Sequence, residues 1–141
     1  MSVMKRRLLS LTLLVAMFFT LAIPASARAS DYITRAIVGV TASGNGKISI
    51  SVKTYATGVM QEVGSLRVVV NEKASDGSYH PVYTFTREEN PSMIAKNRQT
   101  HSVTLTYQGT AGRDYYITAQ CYAKNASGSG ATWAGSNTVR A

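Results

Sequence analysis

Between Lys47 and Lys53 every second residue is apolar: Ile48, Ile50 and Val52 alternate with Ser49 and Ser51. That period of two matches the pleat of a strand, which turns alternate side chains to one face. A helix of period 3.6 would scatter the three around its circumference. The pattern recurs at Leu66, Val68 and Val70, at Val103, Leu105 and Tyr107, and at Tyr115, Ile117, Ala119, Cys121 and Ala123. Beyond the first 29 residues no stretch carries a comparable helical repeat, so the spacing predicts an all-β domain.

Turn residues divide the alternating runs. Gly44-Asn45-Gly46 joins strands over 32–43 and 47–55, because Gly and Asn accept positive φ. Ser75-Asp76-Gly77-Ser78 joins 65–73 to 79–86, where Pro81 argues for a sheet edge. Further strands are expected over 100–107, 113–125 and 132–140. Loops are expected over 56–64, with Val59 and Met60 against the end of the core, over 87–98 and over 126–131. Seven short strands with Gly-bearing turns fit a two-sheet sandwich. Residues 30–141 suffice for one domain with a core of its own.

The first 29 residues have a different logic. Lys5, Arg6 and Arg7 precede an uncharged, mainly apolar run from Leu8 to Ile23, and Pro24 leads into Ala25-Ser26-Ala27 and Ala27-Arg28-Ala29. Charge, apolar run and small-residue site in that order predict an export signal, cleaved after Ala29 or, two residues earlier, after Ala27. The apolar run is 16 residues long, short of the roughly 20 that span a bilayer. No Cys follows it for lipid attachment and the last residues are not apolar. The expectation is therefore a protein released outside the cell, with no stable membrane insertion after cleavage.

Cleavage also changes the charge argument. Losing Lys5, Arg6, Arg7 and Arg28 leaves 11 of the 15 Lys and Arg against 7 Asp and Glu, a net +4. The remaining cations stand singly along the chain, whereas nucleic-acid binders gather them into a patch, so no nucleic-acid partner is expected. The single cysteine, Cys121, cannot form an internal bridge, and its place on the apolar phase of 113–125 predicts a structural, buried thiol.

Residues 105–139 resemble the closing strands of immunoglobulin and fibronectin type III domains. Gly112 followed by Tyr115-x-Ile117-x-Ala119 is similar to a tyrosine corner, which implies that the Tyr115 hydroxyl ties back to nearby backbone. No Cys lies two residues after Tyr115, none lies on 47–55, and the third strand has no Trp, so a disulfide-bridged antibody-type domain is excluded. The whole chain also resembles a family of small, uncharacterised, secreted bacterial β-sandwich proteins. The resemblance rests on the export signal, Gly46-Lys47-Ile48-x-Ile50-x-Val52, Leu66-x-Val68-x-Val70 with Asp76-Gly77-Ser78-Tyr79, and Gly112 with Tyr115-x-Ile117. That family more often has Trp where Tyr79 stands. The resemblance implies a fold and a compartment but no activity.

Residues able to do chemistry are sparse. His80 and His101 with one Cys give no metal-ligand spacing. No serine sits in a nucleophile elbow. Glu88-Glu89 reads as a solvated loop end rather than a facing carboxylate pair, and Asp31, Asp76 and Asp114 fall at strand or turn ends. Neither catalysis nor a cofactor is expected. Of Tyr55, Tyr79, Tyr116, Tyr122 and Trp133, the candidates for ligand contact are Tyr116, Tyr122 and Trp133: the two tyrosines share the outward phase of one strand, and Trp133 falls on the next. Strands favour aromatics in any case, so the same residues also read as ordinary sheet cover. The leading expectation is an extracellular, non-catalytic interaction or structural module for a protein or polysaccharide partner. Its rivals are carbohydrate binding through the aromatic face and a hydrolase with an unrecognised site.

Overall fold

The structure, a computed structural model, describes residues 31–141; the segment expected to be an export signal, with Ala27 and Ala29, lies outside the described residues. Seven antiparallel strands form one hydrogen-bonded sheet: β1 (Ile33–Gly44), β2 (Lys47–Lys73), β3 (Tyr79–Thr86), β4 (Ile94–Gln108), β5 (Asp114–Asn125), β6 (Gly128–Gly135) and β7 (Val139–Arg140). A 3₁₀ turn, Pro91–Met93, leads into β4. Among the described residues no helix is long and apolar enough to cross a membrane.

The sheet is organised by β2, 27 residues long, which pairs differently along its two halves. Residues 47–56 lie between β1 and β4; residues 62–72 lie between β5 on one side and β4 and then β3 on the other. The change falls where Tyr55 pairs with Thr100 and Met60 with Arg98, so four residues of β2 oppose Gln99 alone. Such excess residues bend a strand and sharpen its twist. β1 is thereby brought against β5 and β6 without pairing to them.

Inward residues from both halves of β2 join one core. Ile48, Ile50, Val52, Val63, Val68 and Val70 are fully buried, beside Tyr115, Ile117 and Cys121 of β5 and Met93 ahead of β4. Aromatic contacts run from the surface of β3 through β4 to the core: the exposed Tyr83 lies 5.6 Å from the half-buried Tyr107, which lies 6.1 Å edge-on to the buried Tyr115. The first hairpin closes through Asn45 and Gly46, both at positive φ, as a two-residue primed turn between strands requires.

Several sequence expectations are corrected here. The loop expected over 56–64 is strand, because the bend breaks the alternation without ending the pairing. Val59 is 70% exposed at that bend, and Met60 alone reaches the core. Leu66 is only half-buried: Ser65 pairs with Cys121 and Arg67 with Gln120, leaving Leu66 as an extra residue and turning Ser65 inward in its place. The irregular stretch 87–98 ends at Met93, since 94–98 pairs with β2 across residues 60–64. Finally, the loop expected over 126–131 is mostly β6, and the strand expected over 132–140 is interrupted after Gly135. Asn125 makes the β5–β6 turn so short: its Oδ1 accepts from the backbone N–H of Ser127 (2.8 Å) and Gly128 (3.1 Å).

Candidate functional site

The outward phase of β5 carries Tyr116, Thr118, Gln120, Tyr122 and Lys124, while the inward phase is wholly buried. Pairing extends each outward residue into a row across β2, β5 and β6, with β3 or, at the first row, β4 beyond β2. Lys96, Glu62 and Lys124 form the first row, and Gly64 and Tyr122 belong to the second. Thr86, Arg67, Gln120 and Trp133 form the third; Thr84, Val69 and Thr118 the fourth; Asn71 and Tyr116 the fifth.

The three aromatic candidates are thus on one face but not in one group. Trp133 pairs with Gln120 and is 54% exposed. Tyr122 is its diagonal neighbour, about 7–8 Å away by sheet geometry. Tyr116 stands two rows off and is half-buried, with Tyr79 packed edge-on at 4.8 Å. Tyr122 and Trp133 belong together, whereas Tyr116 and Tyr79 form a separate pair. Tyr55 faces elsewhere, in a hollow with Lys53, Thr100, His101 and Ser102.

Across β5, β2 and β3 lies an open cleft of about 420 Å³ bordered by Leu66, Arg67, Thr84, Thr86, Arg87, Glu88 and Gln120; Trp133 is the β6 neighbour of Gln120 and itself lines a separate hollow with Ile33, Thr34, Arg35 and Ala36 of β1. The cleft's size is that of a small-ligand site, and its walls mix polar and apolar surface. Arg87 reaches across its end. The guanidinium bonds Glu62 at 3.1 Å and lies 5.9 Å over the Tyr122 ring. The Arg87 hydrogen bond holds the Glu62 carboxyl below its ordinary range, against the opposing effect of burial, with Lys124 and Lys96 adding to the pull. Burial raises the Tyr122 phenol, and the Glu62 charge adds to the rise. The face therefore offers hydrogen-bonding side chains, cations and one exposed indole, but no arranged nucleophile and base.

Sequence reasoning missed Arg67, Arg87, Lys96 and Gln120. The cations stand far apart along the chain, and only the pairing of β2, β4 and β5 gathers them. The other titratable candidates lie away from the cleft or form local contacts. Ser78 donates to Asp76 Oδ1 at 2.6 Å and accepts from His80 Nε2 at 2.8 Å. The hydroxyl thus stands between acid and imidazole, so Asp76 cannot orient His80 as in a hydrolase triad. Glu88 and Glu89 are exposed side by side at the β3 end, and Asp31 is exposed ahead of β1. Asp114 pairs with Arg140 at 2.9 Å. Among the described residues no group of three His, Cys, Asp or Glu converges on a metal-sized point. Cys121 is free and fully buried, and burial raises its thiol pKa, with the Thr54 hydroxyl opposing.

His101 carries a testable pH response. Its Nε2 donates to the Ser92 carbonyl at 2.8 Å, and Nδ1 is buried without a partner. Burial lowers its pKa below 6.5; Arg98 adds to the lowering and the Ser92 bond opposes it. The unfolded chain therefore binds the proton first as pH falls, and stability declines from about pH 6.5 downward toward the folded-state value. In urea denaturation followed from pH 7.5 to 5, we expect a falling midpoint. His101→Gln, which keeps a donor for Ser92 without the titration, should flatten that profile; an equal slope in both proteins would assign it elsewhere.

No family model matches the chain, and no curated protein matches it.

Proposed function

We propose that the chain is an exported, non-catalytic binding module with an immunoglobulin/fibronectin III-like sandwich, and that it engages carbohydrate through the outer face of β3, β2, β5 and β6. The pairing pattern supports the sandwich. β1, residues 47–56 of β2 and residues 100–108 of β4 group as three strands, and β3, residues 62–72 of β2, β5 and β6 as four, with the two-residue β7 beside β5 and residues 94–98 of β4 beside the second half of β2. Apart from those short pieces, a seven-strand sandwich divides its strands in that ratio. The Tyr115 hydroxyl accepts the Thr110 N–H at 2.8 Å, the tie that a tyrosine corner makes.

The observation that carries the functional reading is Trp133, exposed on β6 in the same row as Gln120, which borders the cleft with Leu66, Arg67, Thr84, Thr86, Arg87 and Glu88. An apolar ring face next to hydrogen-bonding groups suits a sugar, which presents C–H on its faces and hydroxyls at its edges. A protein-docking face would have a more continuous apolar centre.

A glycan array probed with the mature protein tests this. Binding to at least one polysaccharide is expected, weakened on the order of tenfold in both Trp133→Ala and Tyr122→Ala, at the upper end of an aromatic contact of roughly 0.5–1.5 kcal/mol. Absence of binding across the array, or binding indifferent to both substitutions, would overturn it. Turnover of a bound glycan, abolished by His101→Ala, would instead favour a hydrolase.

A further inference from the structure

The cations of the cleft face have a consequence for the kind of sugar. Glu62 is paired across the sheet with Lys96 on one side and Lys124 on the other, and Arg87 bonds it directly. One carboxylate thus stands among three cations. Two rows along, Arg67 is exposed and borders the cleft beside Thr84, Thr86 and Gln120; among the described residues it has no ion-pair or side-chain hydrogen-bond partner. Among the described residues Glu88 is the one acid that borders the cleft. Arg67, Arg87, Lys96 and Lys124 against Glu62 and Glu88 leave this end of the face positive.

An arginine with its fork unused is suited to a planar oxyanion, which it can hold through two parallel hydrogen bonds. A second hollow, of about 300 Å³, opens where Lys96 and Lys124 flank Glu62, so a chain leaving the Arg67 cleft along β5 meets two more cations. Successive rows of one strand are about 6.7 Å apart, so these positive positions are widely spaced and interrupted by carboxylates. Nucleic-acid binders gather their cations into a patch or stripe, whereas Glu62 and Glu88 interrupt this one. A sugar polymer carrying about one charge per residue or two is the better match, and Trp133 beside Gln120 supplies the stacking surface for its uncharged ring faces.

We infer that the ligand of this face is an anionic polysaccharide, its carboxylate or phosphate held by Arg67 in the cleft and a neighbouring sugar ring stacked on Trp133. The inference rests on the carbohydrate-binding reading above and specifies the charge of the sugar.

The test is calorimetric titration of the mature protein with polygalacturonate, with a glycan bearing glycerol-phosphate units, and with methyl-esterified polygalacturonate as the neutral match. Duplex DNA and polyglutamate serve as non-sugar polyanions. Binding to either anionic glycan, and much weaker binding to the neutral match, is the expected result; which of the two binds tells carboxylate from phosphate recognition. Arg67→Gln should weaken it on the order of tenfold to a hundredfold. The side chain is exposed, so a thermal melt should match that of the unmodified protein. Equal binding to the esterified polymer would overturn the anionic inference and leave the carbohydrate reading standing. No binding to any glycan, here and on the array, would overturn both. Comparable binding to DNA or polyglutamate that survives Trp133→Ala would reduce the face to a general cation patch and overturn the inference.

Discussion

Gly64→Ala should destabilise the domain by about 3–5 kcal/mol, the combined scale of overpacking and of a residue forced into unfavourable backbone angles. Gly64 has φ +153°, and its backbone is paired with Ile94 on one side and Tyr122 on the other. A Cβ there would overlap the Met93 carbonyl oxygen and come within 3.0 Å of the Ile94 Cα. Neither neighbour can yield cheaply, because both are backbone and Met93 is fully buried. In urea the midpoint should fall by on the order of 2 M, given slopes of roughly 1–3 kcal/mol/M. Gly39→Ala is the matched control: it also lies in a strand, but nothing stands within 4 Å of the added carbon. It should be neutral or gain up to about 1 kcal/mol. If the two substitutions proved equally mild, the close approach of β2 to residues 93–94 would be wrong. The same glycine lies on the second row of the candidate face, so loss of this approach should also weaken any ligand bound between Arg67 and Tyr122.

That position also explains what sequence alone could and could not reveal. The two phases of β5 were legible because its pairing with β2 puts no extra residue on the β5 side, and period two runs unbroken from Tyr115 to Ala123. In β2 the inward set begins on Ile48, Ile50 and Val52, passes through Met60 at the bend, moves to Val63 and Ser65, and shifts again to Val68 and Val70. Each shift erases the alternation locally, so a continuous strand reads as two strands and a loop. β6 was obscured for another reason. Gly128, Ser129 and Gly130 have loop composition, yet they pair with Asn125, Lys124 and Ala123 as strand. The candidate face was half legible. Tyr122 and Trp133 follow from outward phase on adjoining strands, whereas Arg67, Arg87, Lys96 and Lys124 meet only through the pairing of distant segments. Cations that stand singly in sequence are therefore no guide to charge on a sheet face. Register, which the sequence sets only through turns and bulges, decides that.

The second large effect is expected at Tyr115, where one hydroxyl serves two elements. The side chain is fully buried; its oxygen accepts the Thr110 N–H at 2.8 Å and donates to Glu72 Oε2 at 2.8 Å. It thus fastens the turn before β5 to β2, whose Glu72 pairs directly with Tyr115. Gly109 makes room for it, since a Cβ at that position would come within 2.8 Å of the ring and hydroxyl. Tyr115→Phe keeps the ring and its contact with Tyr107 but leaves an N–H and a carboxylate without that partner, a loss of about 1–3 kcal/mol. Tyr115→Ala also empties the ring's volume and should cost about 3–5 kcal/mol. The gap between the two substitutions separates tie from packing. Glu72→Gln can still accept from the hydroxyl and should be milder than Tyr115→Phe. Glu72→Ala removes the acceptor, so when it is combined with Tyr115→Phe the two losses should fall short of their sum, because both act on one bond. Full additivity, measured by urea denaturation at neutral pH, would mean that the Tyr115–Glu72 bond does not contribute in solution. Tyr115 would then stabilise the domain through its ring and the Thr110 bond alone.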